Sequence, residues 1–133
     1  LLGGHSGQCG RLSCRRVIKY NAKNEEAAER YAQIADHIGL GGTTTTEKVD
    51  ALIAELRSMN DQLDIPQAIK FYGAGGVKAE TSVIDEAEFL EKLPTVAANA
   101  IGDACTGSNP RQPSQEEMEK LLKACYYDLE IDF

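Results

Sequence analysis

Three times along this chain a small polar residue stands three positions ahead of a glutamate, just before an apolar-periodic run: Thr44 with Glu47, Asp85 with Glu88, and Ser114 with Glu117. That spacing lets the polar side chain accept from the third helical amide while the glutamate reaches back to the cap, so each pair announces a helix start. The runs that follow repeat at three and four residues, as a helix face does, and no long window alternates as a strand would. The fold class expected is all-α.

The clearest helix spans residues 47–63, with Val49, Leu52, Ile53, Leu56, Met59 and Leu63 on its buried face. Before it, Asn24 caps a helix over residues 25–38, where Ala27, Ala28, Tyr31, Ile34, Ala35 and Ile38 make one stripe. Gly39 sits where a left-handed residue ends such a helix. Residues 12–22 form a further expected helix after a glycine-rich start, and Pro66 opens a short one over residues 67–72. In the helix begun by Asp85, Pro94 removes a backbone donor, so a kink or break is expected there, with a second piece over residues 95–104. Ser114 caps the last helix, and an acidic tail over residues 128–133 is expected to fray.

Composition narrows the function. Fourteen Lys+Arg against 21 Asp+Glu give a net charge of −7, which argues against unaided binding to nucleic acid or an anionic membrane. No apolar run approaches the roughly 18–20 residues of a bilayer span. The 133 residues suffice for one domain, and a start at Leu1-Leu2-Gly3-Gly4 reads as the tail piece of a larger chain. Cys9, Cys14, Cys105 and Cys125 show no CxxC spacing. Free thiols in a reducing cytoplasm are favoured over structural bridges.

The catalytic inventory is short. The two histidines, His5 and His37, form no pair at metal-ligand spacing, and the glycine clusters do not sit between a strand and a helix as a dinucleotide fingerprint would. His37 reads as a residue complementing a helix C-terminus. His5, in an irregular stretch before a helix, is either an exposed imidazole near a chain end or a group reaching into a cleft. Cys105-Thr106-Gly107-Ser108-Asn109-Pro110-Arg111 cannot be regular helix. There Gly107 allows a tight turn, Asn109 can cap backbone groups, and Arg111 can hold a carboxylate or carbonyl in its planar fork. The segment is either a functional loop or a helix–helix connector. Cys105 has no neighbouring base in sequence, which argues against a nucleophile.

Several separate motifs now agree. Val17-Ile18-Lys19-Tyr20-Asn21-Ala22, the run from Arg30 through Ala35-Asp36-His37-Ile38-Gly39-Leu40, Ile65-Pro66, and the heptapeptide 105–111 occur in this order. Together they resemble the C-terminal part of the iron-dependent alcohol dehydrogenases, most of all the alcohol dehydrogenase half of the bifunctional aldehyde–alcohol dehydrogenases. The resemblance covers residues 17–127, leaving 1–16 as an atypical glycine-rich segment and 128–133 as an acidic tail.

The resemblance implies an all-helical C-terminal domain whose nucleotide-binding partner domain would lie upstream. It implies interconversion of a primary, ethanol-like alcohol and its aldehyde by hydride transfer with NAD(H), with Fe(2+) as Lewis acid. It implies a cytoplasmic protein and a homo-oligomer, filaments included. His5 lies near the family's last iron ligand but is followed by Ser6-Gly7-Gln8-Cys9-Gly10-Arg11 where the family has a G-L-A-N-A pattern. A one-nucleotide frame shift across those codons can encode Leu-Ala-Asn-Ala-Val-Ala, an account that sequencing the transcript tests. Cys105, Thr106 and Asn109 are expected in or near the substrate and cofactor pocket, with Arg111 in support. Alone, this chain is expected to be inactive. The alternative is a non-catalytic helical remnant serving as an interaction or oligomerisation module.

Overall fold

The computed structural model describes the backbone of residues 6–73 and 78–133, and side chains over 13–73 and 78–133. Within them lie five α-helices: α1 (Ser6–Asn21), α2 (Glu25–His37), α3 (Thr45–Gln62), α4 (Glu86–Gly102) and α5 (Gln115–Tyr127). Single 3₁₀ turns occupy Ile69–Phe71 and Thr106–Ser108. The described residues hold no strand, only an isolated bridge between Tyr72 and Lys78. The fold is all-α.

The caps work as the sequence specifies, with one exception. Thr44 with Glu47 and Ser114 with Glu117 form complete reciprocal boxes. Asp85 accepts from the Glu88 amide, but the Glu88 carboxylate takes Lys92 at 2.5 Å. Gly39 closes α2 in the left-handed region at φ 77°, with the Leu40 amide returning to the Ala35 carbonyl at 2.9 Å. Asp64 ends α3 at φ 53°, and the Ile65 amide returns to Asn60 at 2.8 Å.

Other expectations are corrected. Helix α1 begins at Ser6 and passes through Gly7 and Gly10. The buried residues Arg15, Arg16, Ile18 and Tyr20 anchor its later turns, and extending a helix already nucleated costs about 1 kcal/mol per glycine, without a second nucleation step. The short helix after Pro66 is only the 3₁₀ turn. Helix α4 runs unbroken through Pro94. The proline is exposed while Leu93 and Ala97 on either side are buried, so the missing amide lies on the wet face. Ile34, Ile38, Met59 and Leu63, expected on buried stripes, are 45–63% exposed. Helices α2 and α3 pack on each other, and the apolar residues they bury are Ala27, Ala32 and Ala35 on α2 and Val49 and Leu52 on α3, so the stripe facing inward is narrower than the spacing predicts.

Helix α5 divides the core. Leu121 and Ala124 pack with Tyr20 of α1 and Ile131, while Cys125 and Tyr126 pack with Ile69, Ile84 and Phe89. The Phe89 and Tyr126 rings stack at 4.2 Å, and the Tyr126 hydroxyl donates to the Ile84 carbonyl at 2.7 Å.

The acidic tail does not fray. Ile131 is 4% exposed, and the Asp128 carboxylate is gripped by Arg15, by Arg16 at 2.5 Å and by Arg57 at 3.1 Å. Arg15 and Arg16 are both nearly fully buried, so they require this partner. The same grip holds Asp128 in the left-handed region at φ 60°, where a non-glycine residue is uncommon. No helix among the described residues is long and apolar enough to cross a membrane.

Candidate active-site cleft

Helix α4 ends at Gly102 because the chain turns sharply there. The Asp103 carboxylate accepts from the Cys105 amide at 2.7 Å, and the Thr106 hydroxyl donates to the Ala100 carbonyl at 2.6 Å. The following 3₁₀ turn is held from inside. Ser108 Oγ donates to the Cys105 carbonyl at 2.8 Å, and Gln112 Nε2 reaches the carbonyls of Thr106, Gly107 and Asn109 at 2.9–3.1 Å. Gly107 is not needed for tightness: its φ is not positive and a Cβ there would meet nothing within 4 Å. The expectation that glycine enables this turn is corrected, because side-chain hydrogen bonds shape it.

Against this turn lie one face of α1 and one of α5, enclosing an open cleft of about 310 Å³. Cys105, Thr106 and Asn109 line it together. Val17, Met118, Leu121 and Leu122 make its apolar wall. Cys125 and Tyr20, nearly fully buried, also border it.

The three turn residues differ in what they offer. Asn109 spends its amide elsewhere: Nδ2 donates to Asn21 Oδ1 at 2.7 Å and to the Arg111 carbonyl at 2.5 Å, and Oδ1 accepts from Asn21 Nδ2 at 2.9 Å. Thr106 uses its proton on Ala100, keeping acceptor capacity only. Cys105 presents an exposed, free thiol.

Arg111 does not line the cleft. It donates to the carbonyls of Tyr20 at 3.2 Å and Phe133 at 2.9 Å and to Glu117 Oε1 at 2.7 Å. Glu117 Oε2 accepts from the Ser114 amide at 3.0 Å and the Tyr20 hydroxyl at 3.2 Å. The Ser114 amide is the main reason the Glu117 carboxyl is held below its ordinary range, with Tyr20 and Arg111 adding to it. Burial pushes the Tyr20 hydroxyl up, against the pull of Arg111.

His5 lies outside the described residues. His37 closes α2 and is exposed, as a helix-end residue. Among the described residues, no three His, Cys, Asp or Glu side chains gather as a metal site requires. These residues by themselves therefore do not fit an iron centre. Sequence reasoning did not find Asn21, Tyr20, Glu117 or Gln112. Glu117 was visible only as a cap, nothing local to Tyr20 or Asn21 signals their distant partners, and Gln112, although only three to six positions from the carbonyls it binds, carries no motif that announces the role.

An all-helical domain carrying a half-open cleft beside a Cys-Thr-Gly-Ser-Asn-Pro-Arg turn defines the class of protein. Residues 5–126 match the Fe-containing alcohol dehydrogenase family, C-terminal, and the chain belongs to that family. It is 44% identical over 117 residues to an NADPH-dependent butanol dehydrogenase of Clostridium saccharobutylicum, covering 88% of this chain and 27% of that protein. It is 34% identical over 126 residues to the bifunctional aldehyde-alcohol dehydrogenase AdhE of Escherichia coli K12, covering 84% of this chain and 13% of that one. An alcohol dehydrogenase of Thermococcus barophilus is 32% identical over 112 residues, 84% of this chain and 25% of the relative. The chain thus spans about a quarter or less of these relatives.

Proposed function

We propose that this chain is the helical part of an alcohol dehydrogenase that interconverts a primary alcohol and its aldehyde by hydride transfer with NAD(H), and that the cleft beside Cys105 forms part of its substrate and cofactor pocket. The observation that carries this reading is the convergence of Cys105, Thr106 and Asn109 on one cleft with an apolar wall. A concave site with an apolar body and few polar groups suits a short alkyl chain ending in one oxygen. Val17, Met118 and Leu122 exclude water along the alkyl portion, and the Cys105 thiol and Thr106 oxygen meet the polar end. Asn109 lines the cleft but commits its amide to fixing the turn, and Arg111 braces the turn from behind.

NAD(H) supplies the hydride when bound. Fe(2+) is the metal the family's description supports, with His5 as the one ligand we assign from this chain. Among the described residues no three His, Cys, Asp or Glu side chains gather to hold it. We further propose a cytoplasmic homo-oligomer. The exposed Ile34, Ile38, Met59 and Leu63 leave apolar surface that favours association.

The test is expression of the coding sequence extended upstream of Leu1, assayed for NADH oxidation with ferrous iron and a short aldehyde. Turnover in the extended protein and none in the 133-residue chain is the expected result. Turnover by the short chain alone, or none in the extended protein, contradicts the proposal.

A further inference from the structure

We propose that Asn21 is a positioning residue: its side-chain amide, paired head to head with that of Asn109, fixes the 105–109 turn against α1 and thereby sets where the Cys105 thiol stands in the cleft. The functional consequence rests on the reading of that cleft given above, while the positioning itself rests on geometry alone.

Two amides exchange two hydrogen bonds here, 2.9 Å one way and 2.7 Å the other. A reciprocal pair fixes orientation as well as distance, because rotating either amide breaks both bonds. Asn21 is 2% exposed, so its amide has little access to water and requires protein partners. It is the last residue of α1, and its Nδ2 also lies 3.3 Å from the Tyr31 hydroxyl on α2. On the other side, Asn109 Nδ2 reaches the Arg111 carbonyl, carrying the restraint into the next residues of the loop. Helix α1 is the element that continues from His5 in sequence, so the pair ties the proposed metal-side helix to the proposed substrate-side turn.

Asparagine is required at both ends. Alanine at position 21 leaves Asn109 Oδ1 without its donor and Nδ2 with the Arg111 carbonyl alone, so the orientation of the amide is no longer fixed from α1. Aspartate keeps an acceptor for Asn109 Nδ2 but sets a second oxygen against Asn109 Oδ1.

The experiment measures alkylation of Cys105 by iodoacetamide in the 133-residue chain, resolved by peptide mass spectrometry with helicity followed alongside. Cys105 is exposed, whereas Cys125 is buried and burial pushes the Cys14 thiol up. Asn21→Ala and Asn109→Ala are each expected to change the Cys105 rate by roughly threefold or more, and the double variant by no more than either alone. Tyr31→Phe is expected to leave it unchanged. Single variants matching the parent rate, or effects that multiply in the double variant, overturn the proposal. If the alanine variants lose helicity, Asn21→Asp takes their place, and an unaltered Cys105 rate in it overturns the proposal equally. A second arm uses the upstream-extended enzyme, where Asn21→Ala should raise KM for the aldehyde and not for NADH. A changed alkylation rate with an unmoved aldehyde KM upholds the positioning and overturns the substrate-pocket reading instead.

Discussion

The guanidinium carbon of Arg111 lies 3.9 Å from the centre of the Tyr20 ring, while its nitrogens bind the Tyr20 carbonyl and the Glu117 carboxylate. One side chain thereby joins the end of α1, the first turn of α5 and the C-terminal Phe133 carbonyl. Only a planar fork can stack on a ring and donate sideways in several directions at once. Arg111→Lys is therefore not conservative. It should lower the unfolding free energy by about 2–3 kcal/mol, read from urea denaturation.

Two buried arginines, Arg15 and Arg16, share the Asp128 carboxylate. Asp128→Ala leaves those charges uncompensated and should cost about 3–5 kcal/mol. Glu130 also approaches the cluster, at 3.6 Å from Arg15 and 3.9 Å from Arg57, but its side chain is 74% exposed. Glu130→Ala should move stability by no more than about 0.5 kcal/mol. Equal losses in the two variants would contradict this division.

The Tyr127 hydroxyl donates to Glu86 at 2.6 Å, and this bond is the main reason its pKa is raised to about 12. A folded-state pKa above the unfolded value means the native protein holds this proton more tightly. The stability it contributes is present below pH 10 and is lost as pH rises from about 10 to about 12. Ultraviolet titration, with Tyr127→Phe as the difference, should place its ionisation in that upper range. Glu86→Gln should bring it down toward the ordinary tyrosine value.

Gly107 has open space around its Cα and no positive φ. Gly107→Ala should be tolerated and should raise stability by about 0.4–1 kcal/mol by restricting the unfolded chain. Thermal melting checks the sign, and a destabilised variant would mean the turn depends on glycine after all.

What the sequence made legible followed from local physics. The Thr44 and Ser114 caps, the Gly39 stop and the all-α class each depend on residues within a few positions of one another. The grouping of Cys105, Thr106 and Asn109 was anticipated through the family resemblance, not through periodicity. The misses involve long-range partners. Nothing around Asp128 announces Arg15 and Arg16, more than 110 residues away, so the tail read as loose. Pro94 carries a strong local signal that tertiary packing of Leu93 and Ala97 overrides. Asn21 falls near the end of the helix expected over residues 12–22, and α1 does end at it, but its pairing with Asn109 spans 88 positions.

The most direct test of the central claim fills the cleft without touching its polar groups. Val17 lines it from α1 and is 38% exposed, so Val17→Trp can occupy that space with α1 intact. In the upstream-extended enzyme, aldehyde reduction by Val17→Trp should fall roughly tenfold or more in kcat/KM, with helicity and the Cys105 turn preserved. Parent-level turnover in that variant would mean the alcohol binds elsewhere and would contradict the account.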